Sequence, residues 1–172
     1  MIAVIGESDA SAENIEIAKE TGSLIAEREG ILICGGLSGV MSAAAEGAQK
    51  AGGITIGVLS NYDRNSANEY IDLVIPTGMG HARNAIIVAS AHGVIAIGGH
   101  YGTLSEIALA RKLGKPVMTI SSFEIHREGK VQGDILSADT PRHAVSRLFK
   151  LLESPDEWTP SQTSTYKGEL GK

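Results

Sequence analysis

Six short apolar runs alternate with segments of helical periodicity, and this alternation restricts the fold more than any other feature of the chain. The runs lie at residues 1–6, 31–34, 54–59, 71–76, 93–98 and 116–120. They are continuous, whereas a strand with one face in water would carry a polar residue at every second position. Continuous apolar strands separated by helices are typical of a parallel sheet that is covered by helices on both faces. The sequence therefore predicts an α/β fold.

Helices are expected between these strands, at residues 11–29, within 41–53, and at 82–91, 103–113 and 141–152. The segment 126–134 has the composition of a hairpin-like excursion, and 116–120 is the last clear strand. A chain of 172 residues can bury one sizeable core. We therefore expect a single domain over residues 1–153, followed by a polar tail over residues 154–172 that is rich in helix-breaking residues.

The chain has 21 glycines, and many of them are grouped where a predicted strand ends. The groups are Gly6, then Gly35, Gly36 and Gly39, then Gly78 and Gly80, and finally Gly98, Gly99 and Gly102. In a parallel sheet these strand ends lie along one edge, where ligands bind and where helix N-termini attract anions. This edge is the predicted ligand site.

Composition excludes several functional classes. The net charge is −5 and no cluster of Lys and Arg forms a basic patch, which argues against nucleic acid and membrane surfaces as partners. The single cysteine, Cys34, excludes an internal disulfide and a cysteine-based zinc site, and no metal site is predicted. The N-terminus has no cationic segment before its apolar residues, so we expect a cytoplasmic protein. Neither the GxGxxG dinucleotide motif nor a Walker A lysine is present.

Two residues near the glycine groups are candidates for chemistry. Arg83 would lie in the first turn of its helix, where a cation opposes the helix dipole, so either a functional role or a plain ion pair with Glu106 would explain it. The spacing Thr103-x-x-Glu106 predicts a capping box at the start of the next helix. A Glu at that position would remain ionised near neutral pH, and capping does not exclude a role in the site.

Three separated motifs resemble those of one family. They are GGLSGVMSAAAEGA (35–48), GMGHARNAIIVASAHGVIAIGG (78–99) and GGHYGTLSEIALA (98–110). They resemble the LOG family, long described as lysine decarboxylase-like, whose marks are a GGGxxGLMG-type loop, an Arg-Lys pair that opens a helix, and PGGxGTxxE. The resemblance covers residues 1 to about 152, and it is nearest to the smaller branch that includes the molybdenum-cofactor carrier proteins.

The resemblance implies a Rossmann-like three-layer α/β/α fold, a homodimer or homotetramer, and hydrolysis of the N-glycosidic bond of a nucleoside 5'-monophosphate. Arg83 and Glu106 fall on the family's catalytic Arg and Glu, and Gly99, Gly102 and Thr103 on its phosphate-binding loop. Glu106 would activate water and stabilise an oxocarbenium-like ribose, as carboxylates do in glycosidases. The remaining predicted ligand-binding residues are Gly6, Ser8, Gly35, Gly36, Gly39, Met41, Asn84, Gly98, His100 and Tyr101.

Three positions depart from the family pattern. Gly98-Gly99-His100 replaces PGG, Asn84 replaces the Lys after the Arg, and Cys34 replaces the first glycine of the triplet. The first two favour an alternative from another functional class, a non-catalytic carrier of molybdenum cofactor or of another phosphorylated nucleotide-like ligand. No further cofactor is required in either case. A pyridoxal-phosphate lysine decarboxylase is rejected, because no lysine has a context suited to a Schiff base.

Overall fold

The computed structural model describes residues 1–131 and 135–154, and it contains one seven-stranded sheet with helices on both faces. Apart from Ser154, the predicted polar tail lies outside the described residues. The strands of the sheet are β1 (Ile2–Gly6), β2 (Leu32–Cys34), β3 (Thr55–Leu59), β4 (Leu73–Pro76), β5 (Gly93–Ile97), β6 (Val117–Ile120) and β9 (Ile135–Ser137). The helices are α1 (Ala12–Ala26), α2 (Val40–Lys50), α3 (Asn84–Ser90), α4 (Tyr101–Lys112) and α5 (Pro141–Glu153).

The strand order is β4-β3-β2-β1-β5-β6-β9, and every neighbouring pair is parallel. The predicted Rossmann-like α/β fold is therefore confirmed. The edge strand β9 was not predicted, because Ile135–Ser137 is only three residues long and does not stand out as an apolar run. The predicted excursion is a separate antiparallel hairpin of β7 (His126–Arg127) and β8 (Lys130–Val131), although residues 132–134 lie outside the described part.

The strand order reverses direction beside β1, and this reversal positions the ligand site. After β1 the chain builds β2, β3 and β4 on one side, and then returns to place β5 on the other side of β1. The loops that leave β1 and β5 therefore diverge and open a crevice at the carboxyl ends of these strands. In open α/β sheets ligands bind at such a point.

Two apolar clusters make up the core, one on each face of the sheet. One cluster packs α1, α2 and α5 against side chains such as Ile2, Val4 and Ile97. The other packs α3 and α4 against the alternate side chains of the same strands, including Ala3 and Ile5. Within the described residues, no helix combines the length and the apolar character needed to cross a bilayer.

Helices α1 and α2 approach each other closely because each contributes a glycine to the contact. A Cβ on Gly22 or Gly47 would clash with the carbonyl oxygen of Ala44 or Lys19 on the facing helix. We expect Gly47→Ala to destabilise the fold by about 1–3 kcal/mol, whereas alanine in an uncrowded helix would stabilise it by about 1 kcal/mol. Urea unfolding would measure the difference.

Gln49→Ala is the matched control for this prediction, since Gln49 lies on the exposed side of the same helix. A change within about 0.5 kcal/mol is expected for it. If Gly47→Ala were neutral or stabilising, the two helices would not be held at the distance that the structure gives.

Candidate ligand-binding site

A cavity of about 370 Å³ opens at the carboxyl ends of the strands, beside the point where the strand order reverses. Its walls come from the loops that follow β1 and β2, the turn before α3 and the first turns of α4. This volume is within the range of small-molecule pockets. The glycine groups at the strand ends therefore border a cavity that is large enough for a small-molecule ligand.

The cavity brings together both residues predicted to be catalytic and most of those predicted to bind ligand. The predicted residues that line it are Gly6, Ser8, Gly35, Met41, Arg83, Asn84, His100, Gly102, Thr103 and Glu106. Gly36, Gly39, Gly98, Gly99 and Tyr101 are not among its lining residues. Gly98 and Gly99 instead line an adjoining cavity of about 290 Å³.

Arg83 is the buried cation of the main cavity. It is the last residue of a 3-10 turn, Gly80–Arg83, and immediately precedes α3, so the helix begins two residues later than predicted. Only 8% of its surface is exposed. Gly35 leaves room for the guanidinium, since a Cβ there would lie within 3.0 Å of both Nη atoms. The absence of a side chain at Gly35 therefore lets Arg83 be buried at this point.

The Nε atom of Arg83 is buried and has no hydrogen-bond partner among the described residues. The ion pair with Glu106 that the sequence left open is not formed either, because no contact of the two within 4.0 Å is found in the described part of the chain. Burial lowers the pKa of Arg83, and the negative charge of Glu106 acts in the opposite direction. An arginine side chain nevertheless keeps its proton in proteins. A buried cation with an unused donor is a good anion-binding group.

The predicted capping box at Thr103 and Glu106 is wrong. Helix α4 begins at Tyr101, with His100 as its N-cap and no side-chain cap hydrogen bond. Thr103 and Glu106 are the third and sixth residues of the helix, so Glu106 lies in the second turn, too far along to reach the cap amide. The positive φ angles of Gly98 (55°) and Gly99 (111°) turn the chain immediately before the helix, which begins two residues earlier than predicted.

Glu106 is buried, with 6% of its surface exposed, and it lines the cavity. Burial raises the pKa of its carboxyl to about 7, although the positive charge of Arg83 opposes the increase. The prediction that this residue remains fully ionised near neutral pH is therefore wrong. Loss of solvation outweighs both the helix dipole and the neighbouring guanidinium, and Glu106 can accept or release a proton at neutral pH.

The first turn of α4 offers a second group of anion-binding donors. Its N-cap residue supplies no side-chain acceptor, so the backbone N–H groups at the helix N-terminus are left for another partner. Thr103 in this turn is 3% exposed and lines the cavity, and Gly102 is beside it. Backbone donors, a helix dipole and Arg83 therefore border one space.

Sequence reasoning gave too little weight to some residues of the site. Among the further residues that line the cavity are Glu7, Asp9, Leu37, Ser60 and His81, none of which was among the predicted ligand-binding residues, whereas Gly80 belongs to the predicted glycine edge. Position could have identified Ser60 and His81, since the first directly follows β3 and the second directly follows the glycine group at residues 78–80. Among the described residues no group of three or more His, Cys, Asp or Glu side chains could hold a metal ion.

Cys34 ends β2 and is completely buried. Its Sγ accepts the N–H of Gly36 at 3.3 Å, and burial raises the pKa of the thiol to about 11. Cys34, which replaces the first glycine of the triplet, is therefore uncharged and packs as a small buried hydrophobic group.

Comparison with known proteins identifies the family. The model of the SLOG cluster4 family matches residues 1–145. The chain belongs to the SLOG cluster4 family. The match includes all three of the motifs that carried the resemblance, and it confirms the relationship to LOG-type proteins and to the branch with the molybdenum-cofactor carriers.

Three known proteins are similar to this chain over most of its length. A protein of Archaeoglobus fulgidus is 47% identical over 119 residues, which are 69% of this chain and 78% of that one. The molybdenum cofactor binding protein of the phototrophic bacterium Rippkaea orientalis is 34% identical, with a TM-score of 0.81 over 88% of this chain and 96% of that one. The molybdenum cofactor carrier protein of Chlamydomonas reinhardtii is also 34% identical, with a TM-score of 0.76 over 88% and 98% of the two chains.

Proposed function

We propose that this protein binds a small phosphorylated ligand of the molybdenum-cofactor class and acts as its carrier. The observation that carries the proposal is Arg83, a buried guanidinium whose Nε has no partner among the described residues and which lines a cavity of about 370 Å³. A buried donor without a partner costs roughly 1–3 kcal/mol. A bound phosphate would remove that cost, so the site is better satisfied with an anion in it.

In this proposal the ligand's phosphate lies between Arg83 and the first turn of α4. The guanidinium supplies charge and directed donors, and the backbone N–H groups near Gly102 and Thr103 supply the positive end of the helix. The remaining walls, from Leu37, Met41 and Ser60, would hold the heterocyclic part of the ligand. The two similar proteins named for molybdenum cofactor make a pterin-type phosphomonoester the first ligand to test.

A second candidate function is hydrolysis of the N-glycosidic bond of a nucleoside 5'-monophosphate. It is favoured by Glu106, whose pKa of about 7 allows the carboxyl to take up a proton from water at neutral pH. Arg83 would hold the phosphate, and Glu106 would activate water and stabilise the oxocarbenium-like ribose. A carrier needs the phosphate site but no proton transfer at Glu106.

A ligand panel tests the main proposal. The full chain is titrated in a calorimeter with the phosphorylated molybdenum cofactor or its pterin precursor, with AMP, and with adenosine as the unphosphorylated control. We expect the pterin phosphomonoester to bind more tightly than AMP, and adenosine to show no binding. Absence of binding by every phosphorylated compound would refute the carrier proposal.

Glu106→Gln separates the two functions, because glutamine keeps the shape of the side chain but cannot exchange the proton. In a carrier the variant binds the phosphorylated ligand about as well as the natural protein. In a hydrolase the natural protein releases free base from AMP-like substrates, and Glu106→Gln and Arg83→Ala both abolish this release. Detection of free base by chromatography decides between the two.

A further inference from the structure

Glu7 occupies a backbone donor of the glycine loop that precedes α4. This residue directly follows β1, and its side chain is 11% exposed. Its Oε2 accepts the backbone N–H of Gly99 at 2.7 Å, and its Oε1 accepts Asn14 Nδ2 at 2.8 Å. The His100 Nε2 atom lies 4.0 Å from Oε2. A carboxylate of the chain itself therefore lies where the loop would otherwise present its amide to a ligand.

The glycine before this amide is part of the same arrangement. A Cβ at Gly98 would lie 2.4 to 2.6 Å from Asn14 Nδ2 and Glu7 Oε1, and φ at Gly98 is 55°. The backbone of the loop is thus folded closely over the Glu7–Asn14 pair. Glu7 lines both the cavity of Arg83 and the adjoining cavity of Gly98 and Gly99, so its carboxylate stands between them.

Two consequences for an anionic ligand follow. One N–H group makes one strong hydrogen bond, so the Gly99 amide is not available to a ligand phosphate while Glu7 holds it. A phosphate placed there would also approach a carboxylate of the same charge, which is unfavourable. The donors that remain free of this competition are those of Arg83 and of the first turn of α4.

We propose that Glu7 is a specificity-determining residue which, by holding the Gly99 N–H, restricts the site to ligands with a single phosphate. The inference rests on the proposed function, since it concerns the same phosphate site. A second phosphate would extend from the Arg83 side toward the glycine loop and meet the Glu7 carboxylate. Phosphomonoesters are then accepted, and diphosphates are rejected.

Inorganic pyrophosphate tests the proposal with the full chain. Glu7→Ala releases the Gly99 N–H and removes the charge, so pyrophosphate affinity should increase by roughly tenfold or more, the value of one hydrogen bond to a charged group. Glu7→Gln keeps an acceptor oxygen for Gly99, because Asn14 can rotate its amide to pair with the glutamine. A change of about threefold at most is expected for it, because the Gly99 N–H remains engaged.

Asp9→Asn is the matched charge control. Asp9 is exposed, lines the same cavity and has no hydrogen bond to the loop among the described contacts. Its affinity for pyrophosphate should change as little as that of Glu7→Gln. The proposal is overturned if Glu7→Ala does not tighten pyrophosphate binding, or if Asp9→Asn or Glu7→Gln tightens it as much, since charge and not the amide would then be responsible.

The amide resonance of Gly99 provides a readout that needs no ligand. In the natural protein and in Asp9→Asn its proton should lie well downfield, as expected for an amide bonded to a carboxylate, and in Glu7→Ala it should move upfield with the other resonances retained. An unchanged Gly99 resonance in Glu7→Ala would refute the hydrogen bond. Failure of every phosphorylated compound to bind the natural protein would refute the proposed function instead, so the two failures are distinguishable.

Discussion

Arg83→Ala is expected to weaken binding of a phosphorylated ligand by about 10- to 100-fold, because hydrogen bonds to a charged group contribute roughly 1.5–3 kcal/mol. Arg83 lines the cavity, and its buried Nε has no hydrogen-bond partner among the described residues, so its loss removes ligand contacts and few internal ones. Calorimetric titration with the ligand identified from the panel measures the change. The affinity of Arg83→Lys for this ligand should lie between those of the natural protein and of Arg83→Ala, since lysine keeps the charge and loses the planar fork.

Arg64→Ala is the control for this prediction. Arg64 is exposed in a 3-10 turn outside the cavity, and its removal lowers the net charge of the chain by the same amount. Unchanged affinity is expected for it. If Arg83→Ala melted cooperatively and bound the ligand as tightly as the natural protein, Arg83 could not be the phosphate-binding residue.

Stability should decrease between about pH 4.5 and pH 7 because of Glu106. The pKa of this carboxyl is raised from 4.5 to about 7 by burial, so over that interval the folded chain holds a proton that the unfolded chain has released. Raising the pH therefore favours unfolding. Protonation of Glu106 contributes about 3 kcal/mol to the free energy of unfolding. This contribution is present in full below pH 4.5, decreases by about 1.4 kcal/mol per pH unit, and is absent above pH 7.

Urea unfolding at pH 5 and pH 8 measures this dependence when the natural protein is compared with Glu106→Gln. Glutamine is neutral at both values, so the variant should gain stability relative to the natural protein by about 3 kcal/mol on going from pH 5 to pH 8. The same substitution at the exposed Glu20 is the control, and it should leave the pH dependence unchanged. If the free energy of unfolding of Glu106→Gln depended on pH in the same way as that of the natural protein, the Glu106 carboxyl would not be protonated in the folded state.

Bound phosphate should also affect the ionisation of Glu106. An anion on Arg83 would neutralise the positive charge that now favours the carboxylate, so ligand binding would be accompanied by proton uptake at Glu106. A carrier would then hold its ligand more tightly at lower pH. In a hydrolase the same proton uptake would decrease the fraction of Glu106 carboxylate that can act as a general base.

The sheet and the edge that holds the cavity were predictable because they depend on local pattern. Continuous apolar runs such as Ile2–Gly6 and Gly93–Ile97 can be buried on both faces only in a covered parallel sheet. In such a sheet all carboxyl strand ends meet at one edge, so grouped glycines there, including Gly35, indicated the site without any coordinates. The motifs around Arg83 and Glu106 then brought two distant segments to the same cavity.

The interactions within the site were not predictable in the same way. Thr103 and Glu106 have the spacing of a capping box, but the helix begins at Tyr101 because the two glycines before it turn the chain earlier. Glu7 is separated from Gly99 by 92 positions, and no local pattern marks their hydrogen bond. Strand β9 has only three residues, and its pairing with β6 is what makes it part of the sheet.

The sequence by itself determined the order of the six apolar strands and the five helices, the edge of the sheet that carries the cavity, and the residue types gathered there. The tertiary structure decided which donors of that edge are free and which side chains are charged. Arg83 has an unused donor, Glu7 engages an amide of the glycine loop, and the Glu106 carboxyl has a pKa of about 7. Periodicity is a property of neighbouring residues, whereas desolvation and hydrogen bonding depend on groups brought together from distant positions.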